Sequence, residues 1–557
     1  MSGYQNANVV HTSLGLLEGS AENGIRIFRG VPFAKPPVAT LRFKAPRALD
    51  PWVGVRHATQ SGPASYQMNL SSMERIKPII DTLDPGVPGI PAWPAYVGKT
   101  YNHENVSEDC LYLDIWIPAA APGKKLPVYV YYHGGANAVS SGSFDVERGE
   151  NLAKEENIIV VRPNYRMGAL GWVHFGLISE EFSEAVNLGL QDQIAALEWV
   201  HGNIDAFGGD KDNITIGGES AGATAVSHLL TNPNARRFYK RAILQSLSPF
   251  NVWCTQQKEE ATFVANKYVE LLGITDLSDL NDLDPDKFLA VQNILTRYFD
   301  PDDNVAWRPL GGVVDGDWIP EAPAQFLSQG EQEPSKALMI GFAKDEWQFF
   351  RGHSETIKNG TEGDALKVLA QVFGESGAKE LFDGYKHLHP SHVNPGHLLS
   401  DIMSFEFFKF SSLGIAMNFS SQGIPVFVFQ FSYDLPGWGG DLRAVHTGDM
   451  PFLWRNLTDS DLKQWPTFDG ADKTDLRRTT DEMGKLYAGF IKNGEPGPAW
   501  KNFDESSQSV LWFGKSVETK QRLLTEEWDL FTSHGVKTVA DLEEILVENV
   551  RRELKRK

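Results

Sequence analysis

"TIGGESAGAT", residues 215–224, is the stretch on which the reading of this chain turns. A β-branched run ends in two glycines, and Ser220 follows between small residues. Glycine loses more freedom on folding than any other residue, so such a cluster marks unusual backbone. "NITIGG" (213–218) has the pattern of a strand, and "ATAVSHLLT" (223–231) suits a helix. A sharp turn between them would lift Ser220 clear of a sheet at the strand's C-terminal edge, with a helix N-terminus behind it. Gly218 and Gly222 would let strand and helix approach closely. The alternative is an ordinary tight turn that exposes a serine. The G-x-S-x-G pattern occurs once, at 218–222, and is weak by itself in a chain with 51 glycines.

The surrounding sequence supports the turn. "PVYVYYHG" (127–134), "NIIVVRPNY" (157–165), "NITIGG" (213–218), "RAILQS" (241–246), "ALMIGF" (337–342) and "PVFVFQFSY" (425–433) are mostly continuous apolar runs. Strands covered on both faces have this pattern. Helical stretches such as "GLQDQIAALEWVHGNI" (189–204) lie between them. Strand then helix, repeated, predicts an α/β fold with a large, mostly parallel sheet and helices on both faces. The stretch 79–98 is rich in proline and glycine and reads as a long surface loop. Residues 273–304 read as an insertion with short helices. Leu542, Ile545, Leu546, Val550 and Leu554 follow helical spacing, for a terminal helix packed on the body or at a dimer interface. No boundary divides the chain, so residues 1–557 are expected to form a single domain, as a monomer or homodimer.

The chain has 557 residues, 41% of them hydrophobic, and a net charge of −20. That charge argues against non-specific binding to nucleic acid or anionic membranes. No apolar run is long enough to predict a membrane span. The N-terminus lacks the basic start and apolar core of a secretory signal. Cys110 and Cys254 are too few for a disulfide framework. These features predict a cytoplasmic protein, and leave the sequons at Asn69, Asn105, Asn213, Asn359, Asn418 and Asn456 idle.

A serine hydroxyl needs a base, the base needs an orienting group, and an acyl oxygen needs donors where its charge develops. "YYHGGANA" (131–138) turns at glycines after a strand and can present the amides of Gly135 and Ala136 beside that of Ala221. "MIGFAKDEWQFF" (339–350) places Asp345 and Glu346 just past another strand, where α/β sites gather. His446, in "GGDLRAVHTGDMPF" (439–452), follows a third. The order serine, acid, histidine is that of α/β-hydrolases. Taken singly, each segment is also an ordinary turn.

From about residue 9 to 530 the chain resembles the type-B carboxylesterases, the cholinesterase-like family of α/β-hydrolases. "FRGVPFAKPP" (28–37), "LRF" (41–43), "SEDCLYLDIW" (107–116) and "NLGLQDQIAALEWVHGNIDAFGGDKDNITIGGESAGA" (187–223) carry the likeness, with "KDE" (344–346) and "VHTGD" (445–449). The resemblance implies the α/β-hydrolase fold, with Ser220 as nucleophile, Glu346 rather than Asp345 as acid, and His446 as base. It implies an oxyanion hole of Gly135, Ala136 and Ala221, and Ser246 near Glu346. It requires no metal and no cofactor, and its substrate is a small-molecule ester.

Several positions depart from the family pattern. Ala136 replaces a third glycine, and Trp347 replaces the glycine after the acid; Trp347 and Asn137 are candidate pocket residues. Ser65 stands where secreted relatives have the cysteine that pairs with the counterpart of Cys110, so Cys110 is expected to be unpaired. Thr100 stands where cholinesterases carry a tryptophan for a quaternary ammonium, which argues against choline esters. The expected activity is hydrolysis of carboxylic, lactone or xenobiotic esters through an acyl-enzyme. Activity should fall as pH drops through the histidine's pKa, about 6.5 if unperturbed. An acyltransferase or cyclising enzyme using the same acyl-enzyme is the alternative. A non-catalytic binding protein on this fold is a further one, disfavoured because all three triad candidates are present.

Overall fold

The computed structural model describes residues 8–84, 103–119, 124–249, 255–299, 309–333, 336–351, 358–392, 394–440 and 442–556. Eleven strands of the described residues form one sheet. They are β1 (Ser20–Glu22), β2 (Ile25–Pro32), β3 (Tyr112–Pro118), β4 (Leu126–Tyr132), β5 (Ile159–Pro163), β6 (Gly209–Glu219), β7 (Arg241–Gln245), β8 (Ala337–Ala343), β9 (Val426–Phe431), β10 (Ser509–Phe513) and β11 (Val517–Gln521). Across the sheet they run β11-β10-β9-β8-β7-β6-β4-β5-β3-β2-β1. From β10 to β5 all neighbours are parallel, and both margins are antiparallel.

The six strands expected from apolar runs are β4 to β9, the body of the sheet. Their side chains alternate between two cores. Val128, Val130 and Tyr132 face one, while Tyr129 and Tyr131 face the other. Phe427, Phe429 and Phe431 share a face with Tyr129 and Tyr131, and Val426 and Val428 take the opposite one. Both faces are thus dry, which is why these strands lack polar alternation. The helices α1 (Leu188–Asn203), α2 (Ala221–Thr231), α3 (Pro395–Ser404) and α4 (Phe410–Ser421) add their apolar residues to the first core. Helix α5 (Lys473–Asn493) covers the second through Leu476, Met483, Tyr487, Phe490 and Ile491.

The terminal helix α6 (Val539–Arg556) buries Leu542, Leu546 and Val550 in the first core, with Ile545 and Leu554 packed beside them. That apolar stripe packs against the body of the chain. The loop expected over 79–98 is corrected at its start. Residues up to Leu83 belong to a helix, Leu70–Leu83, that carries Pro78 in its interior. The rest of that stretch from residue 85 lies outside the described residues, as do Thr100 and Cys254. The 273–304 segment holds a 3-10 turn, Leu277–Asn281, and a helix, Pro285–Phe299. Cys110 is a buried free thiol. Among the described residues no helix is long and apolar enough to cross a membrane.

Candidate active site

Strand β6 ends at Glu219, and α2 starts at Ala221. Ser220 makes the whole turn alone, at φ 58° and ψ −124°. A positive φ is uncommon for a residue with a Cβ, and here it aims a half-buried serine off the sheet edge. The turn is pinned from both sides: Ser220 N donates to Gln245 O at 3.0 Å, and Thr224 N donates to Ser220 O at 3.0 Å. The two flanking glycines are required. A Cβ at Gly222 would lie 2.0 Å from Tyr132 O, and one at Gly218 would lie 2.3 Å from the Gly222 backbone.

The glycine turn after β4 lies against this elbow. A Cβ at Gly134 would meet Glu219 O at 2.8 Å and Ser220 Cβ at 3.2 Å. Gly135, Ala136 and Asn137 all take left-handed backbone, with φ of 103°, 54° and 57°. Ala138 N and Val139 N both donate to Gly135 O, closing the turn. Among the described residues, no protein acceptor takes the N–H of Gly135, Ala136 or Ala221. The last is an orphan donor at a helix start. Asn137 is buried and tethers the loop: its O accepts from Gly168 N at 2.7 Å and its Nδ2 donates to Leu310 O at 3.4 Å.

Glu346 and Asp345 share one turn after β8 but face different partners. Glu346 is fully buried; Oε1 accepts from Ala343 N at 2.7 Å, and Oε2 is 2.5 Å from His446 Nδ1. Asp345 instead accepts from Ala444 N and Arg443. The bond to Glu346 assigns the imidazole proton to Nδ1 and leaves Nε2 as an acceptor. Nε2 sits 3.3 Å from Oε1 of Glu219, the residue before Ser220. Ser246 takes left-handed backbone at the end of β7, and among the described residues its buried Oγ has no hydrogen-bond partner. Both oxygens of Glu346 have the partners given above, and Ser246 is not among them.

Three phenyl rings surround the imidazole. The centroids of Phe349, Phe350 and Phe408 lie 5.6, 5.5 and 5.2 Å from that of His446. Phe408 belongs to a five-residue π-helix, Phe405–Lys409, between α3 and α4. Such insertions recur at functional sites because they re-aim side chains. Trp347 is buried, its ring centroid 5.1 Å from that of Phe350 and 4.9 Å from that of Phe407, and its backbone N–H donates to Ser404 Oγ at 2.9 Å.

Charge in the site is dominated by carboxylates. Burial alone would lower the His446 pKa; Glu219, Glu346 and Asp449 outweigh it and push it up to about 9. Burial pushes the Glu219 carboxyl well above the ordinary range, and nearby Asp449 and Glu346 add to this. The two groups are coupled, each one's charge acting on the other's affinity for a proton. With Glu219 protonated, its share of the pull on the imidazolium is lost. Burial also pushes Asp449 up to about 6, opposed by the hydrogen bond from Gln245. Gln245 in turn accepts from Tyr487, 2.6 Å away. Glu219, Asp449, Phe349 and Phe350 all lie inside the quoted motifs, where their chemistry went unread. Phe408 carried no signal, since nothing in "FEFFKF" announces a π-helix.

The comparisons with known proteins agree with this architecture. A model of the carboxylesterase family matches residues 6–531. The chain is 30% identical to a para-nitrobenzyl esterase of Bacillus subtilis, over 93% of this chain and 94% of that one. It is 30% identical to a phenmedipham hydrolase of Pseudarthrobacter oxydans, over 91% and 95%. A solved carboxylesterase of Geobacillus stearothermophilus superimposes with a TM-score of 0.79 at 30% identity, covering 94% of this chain and 99% of that one. A carboxylic ester hydrolase on the α/β-hydrolase fold, the chain belongs to the type-B carboxylesterase family.

Proposed function

We propose that the chain hydrolyses small-molecule carboxylic esters through an acyl-enzyme on Ser220. His446 Nε2 takes the hydroxyl proton as Ser220 Oγ attacks the carbonyl carbon. The N–H groups of Gly135, Ala136 and Ala221 receive the oxyanion. The tetrahedral intermediate collapses, the C–O bond to the alcohol breaks, and the imidazolium returns the proton to the leaving oxygen. Water then enters by the same route, and the carboxylic acid leaves with Ser220 restored. Glu346 holds the Nδ1 tautomer and stabilises the imidazolium without taking the proton.

One arrangement carries this reading: the buried Glu346–His446 pair reaches the Glu219–Ser220 elbow, beside a turn with N–H groups free of protein acceptors. The phenyl rings of Phe349, Phe350 and Phe408 keep bulk water from the imidazole, which strengthens those interactions.

The experiment is an ester, lactone and amide panel run on wild type, Ser220→Ala and His446→Gln, with labelling by an organophosphonate. Ester turnover and labelling should both vanish in Ser220→Ala. Turnover that survives in it would refute the assignment. Product analysis with competing alcohols or amines measures how much acyl group goes to water.

A further inference from the structure

We propose that Asp345 and Arg443 are positioning residues, a clamp that holds the His446 loop against the Glu346 turn. This rests on the roles of Glu346 and His446 proposed above. Asp345 immediately precedes Glu346, and Arg443 lies three residues before His446. Arg443 Nη1 donates to Asp345 Oδ1 at 3.2 Å, and Ala444 N donates to Asp345 Oδ2 at 3.2 Å. Asp345 N returns a bond to Ala444 O at 2.9 Å. The two segments therefore meet as a short stretch of parallel bridge between Asp345 and Val445. Val445 is bonded covalently to the base, as Asp345 is to the acid.

The clamp reaches a third element. Arg443 Nη1 lies 3.4 Å from Asp401 Oδ1 on α3, and Nη2 lies 2.5 Å from His392 Nε2. His392 Nδ1 bonds Asp401 Oδ2, so this imidazole carries its proton on Nδ1 and accepts from the guanidinium. Helix α3 continues into the π-helix that sets Phe408 on His446, and Lys409 of that turn donates to Lys344 O at 2.6 Å. Acid turn, histidine loop and aromatic wall thus share one polar node. Arg443 is held at φ 56°, a conformation that persists only where the surroundings over-determine it. Asp345 is 2% exposed, and a surface ion pair would do none of this.

Charge alone and geometry alone predict different pH profiles. Lys344, Arg443, Lys409 and Asp401 act on Asp345; Glu346, Glu219 and Asp449 act on His446. If the pair acted only through its field, Asp345→Asn would remove a negative charge and lower the His446 pKa. Arg443→Gln would remove a positive charge and raise it. If the pair acts by position, either change lets the imidazole drift from Glu346, whose carboxylate holds its pKa up. The acid limb of kcat/KM then moves to lower pH in both variants.

The test uses the full chain, with kcat referred to sites titrated by an organophosphonate. Asp345→Asn and Arg443→Gln should each lower kcat per labelled site about tenfold or more with KM little changed, since a misplacement of about 1 Å costs up to about 100-fold. Arg443→Lys keeps the charge but loses the fork, and should show the same signature in weaker form. Wild-type kcat per labelled site in all three variants, or acid limbs that shift in opposite directions, would overturn the clamp. If Asp345→Asn or Arg443→Gln does not fold, Arg443→Lys decides alone, by the same kcat and acid-limb criteria. If His446→Gln or Ser220→Ala turns over esters at the wild-type rate, the underlying site assignment fails instead, a result visible without the clamp variants.

Discussion

Replacing Glu219 by glutamine removes one charge beside the base and leaves the shape of the site intact. Glu219 is buried, its Oε1 accepts no hydrogen bond among the described residues, and it lies 3.3 Å from His446 Nε2. At that separation and an effective dielectric of about 20, an ionised Glu219 stabilises the imidazolium by about 5 kcal/mol, or about 3.7 pH units. Doubling the dielectric leaves about 1.8 units. Burial opposes the ionisation, because the Glu219 carboxyl is itself raised, so the full Coulomb value is an upper bound. The acid limb of kcat/KM reports the free enzyme's essential base. In Glu219→Gln the limb should move to lower pH by about one unit or more, towards the value His446 takes beside Glu346 and Asp449 alone. The assay is kcat/KM for an uncharged ester from about pH 5 to 10, in both proteins at one ionic strength. A limb that stays in place or rises would refute the coupling, whatever happens to the maximal rate.

Other perturbations test the fold and its buried charges. Glu406 on the π-helix is buried, and burial pushes it up to about 8 from an ordinary 4.5. Its contribution to stability is intact below about pH 4.5 and is lost progressively up to about pH 8, by about 3 kcal/mol at pH 7. Glu406→Gln should therefore raise the urea midpoint at pH 8 and leave it little changed near pH 4.5; equal gains at both would contradict the sign. Asp192 binds Arg166 through both carboxylate oxygens at 2.7 Å, with neither side chain exposed. Asp192→Ala strands that guanidinium and should cost about 3–5 kcal/mol in equilibrium unfolding. Gly222→Ala drives a methyl into the Tyr132 carbonyl, so it should yield insoluble protein or an inactive fold, and soluble protein with wild-type turnover would disprove the close approach.

What the sequence discloses follows burial. Strands β4 to β9 are dry on both faces, so their apolar runs stand out. The marginal strands do not: β11 reads VETKQ and is partly exposed along its length, and β1 reads SAE. Each joins the sheet through a short antiparallel hairpin with the strand beside it in sequence, β11 with β10 and β1 with β2, and no apolar run marks it. The Leu70–Leu83 helix was hidden by Pro78, which reads as a breaker although Asn69 and Ser72 form a capping box that starts the helix. The choice between Asp345 and Glu346 was beyond spacing, because adjacent residues in one turn point to opposite sides. Only the fold supplies Arg443 for one and His446 for the other.

The site's least visible feature is its backbone. Ala136, Asn137, Ser220, Ser246, Arg443 and Thr447 all take positive φ, between 50° and 67°. Each conformation costs a residue with a Cβ roughly 1–2 kcal/mol. Had glycines occupied these positions, the sequence would have announced the turns, as Gly134 and Gly135 do. Instead each position carries a side chain, and the strain is borne by contacts on all sides: Gln245 O and Thr224 N for Ser220, Gly341 O for Ser246, Asp345 for Arg443. Strain that survives in residues free to relax requires surroundings rigid enough to forbid relaxation. The parallel strands β4, β6 and β7 supply that rigidity, since four of these residues, Ala136, Asn137, Ser220 and Ser246, lie within five residues of one of their ends. Arg443 and Thr447 lie farther from β9, on a loop that needs another anchor, and that is where Asp345 is found.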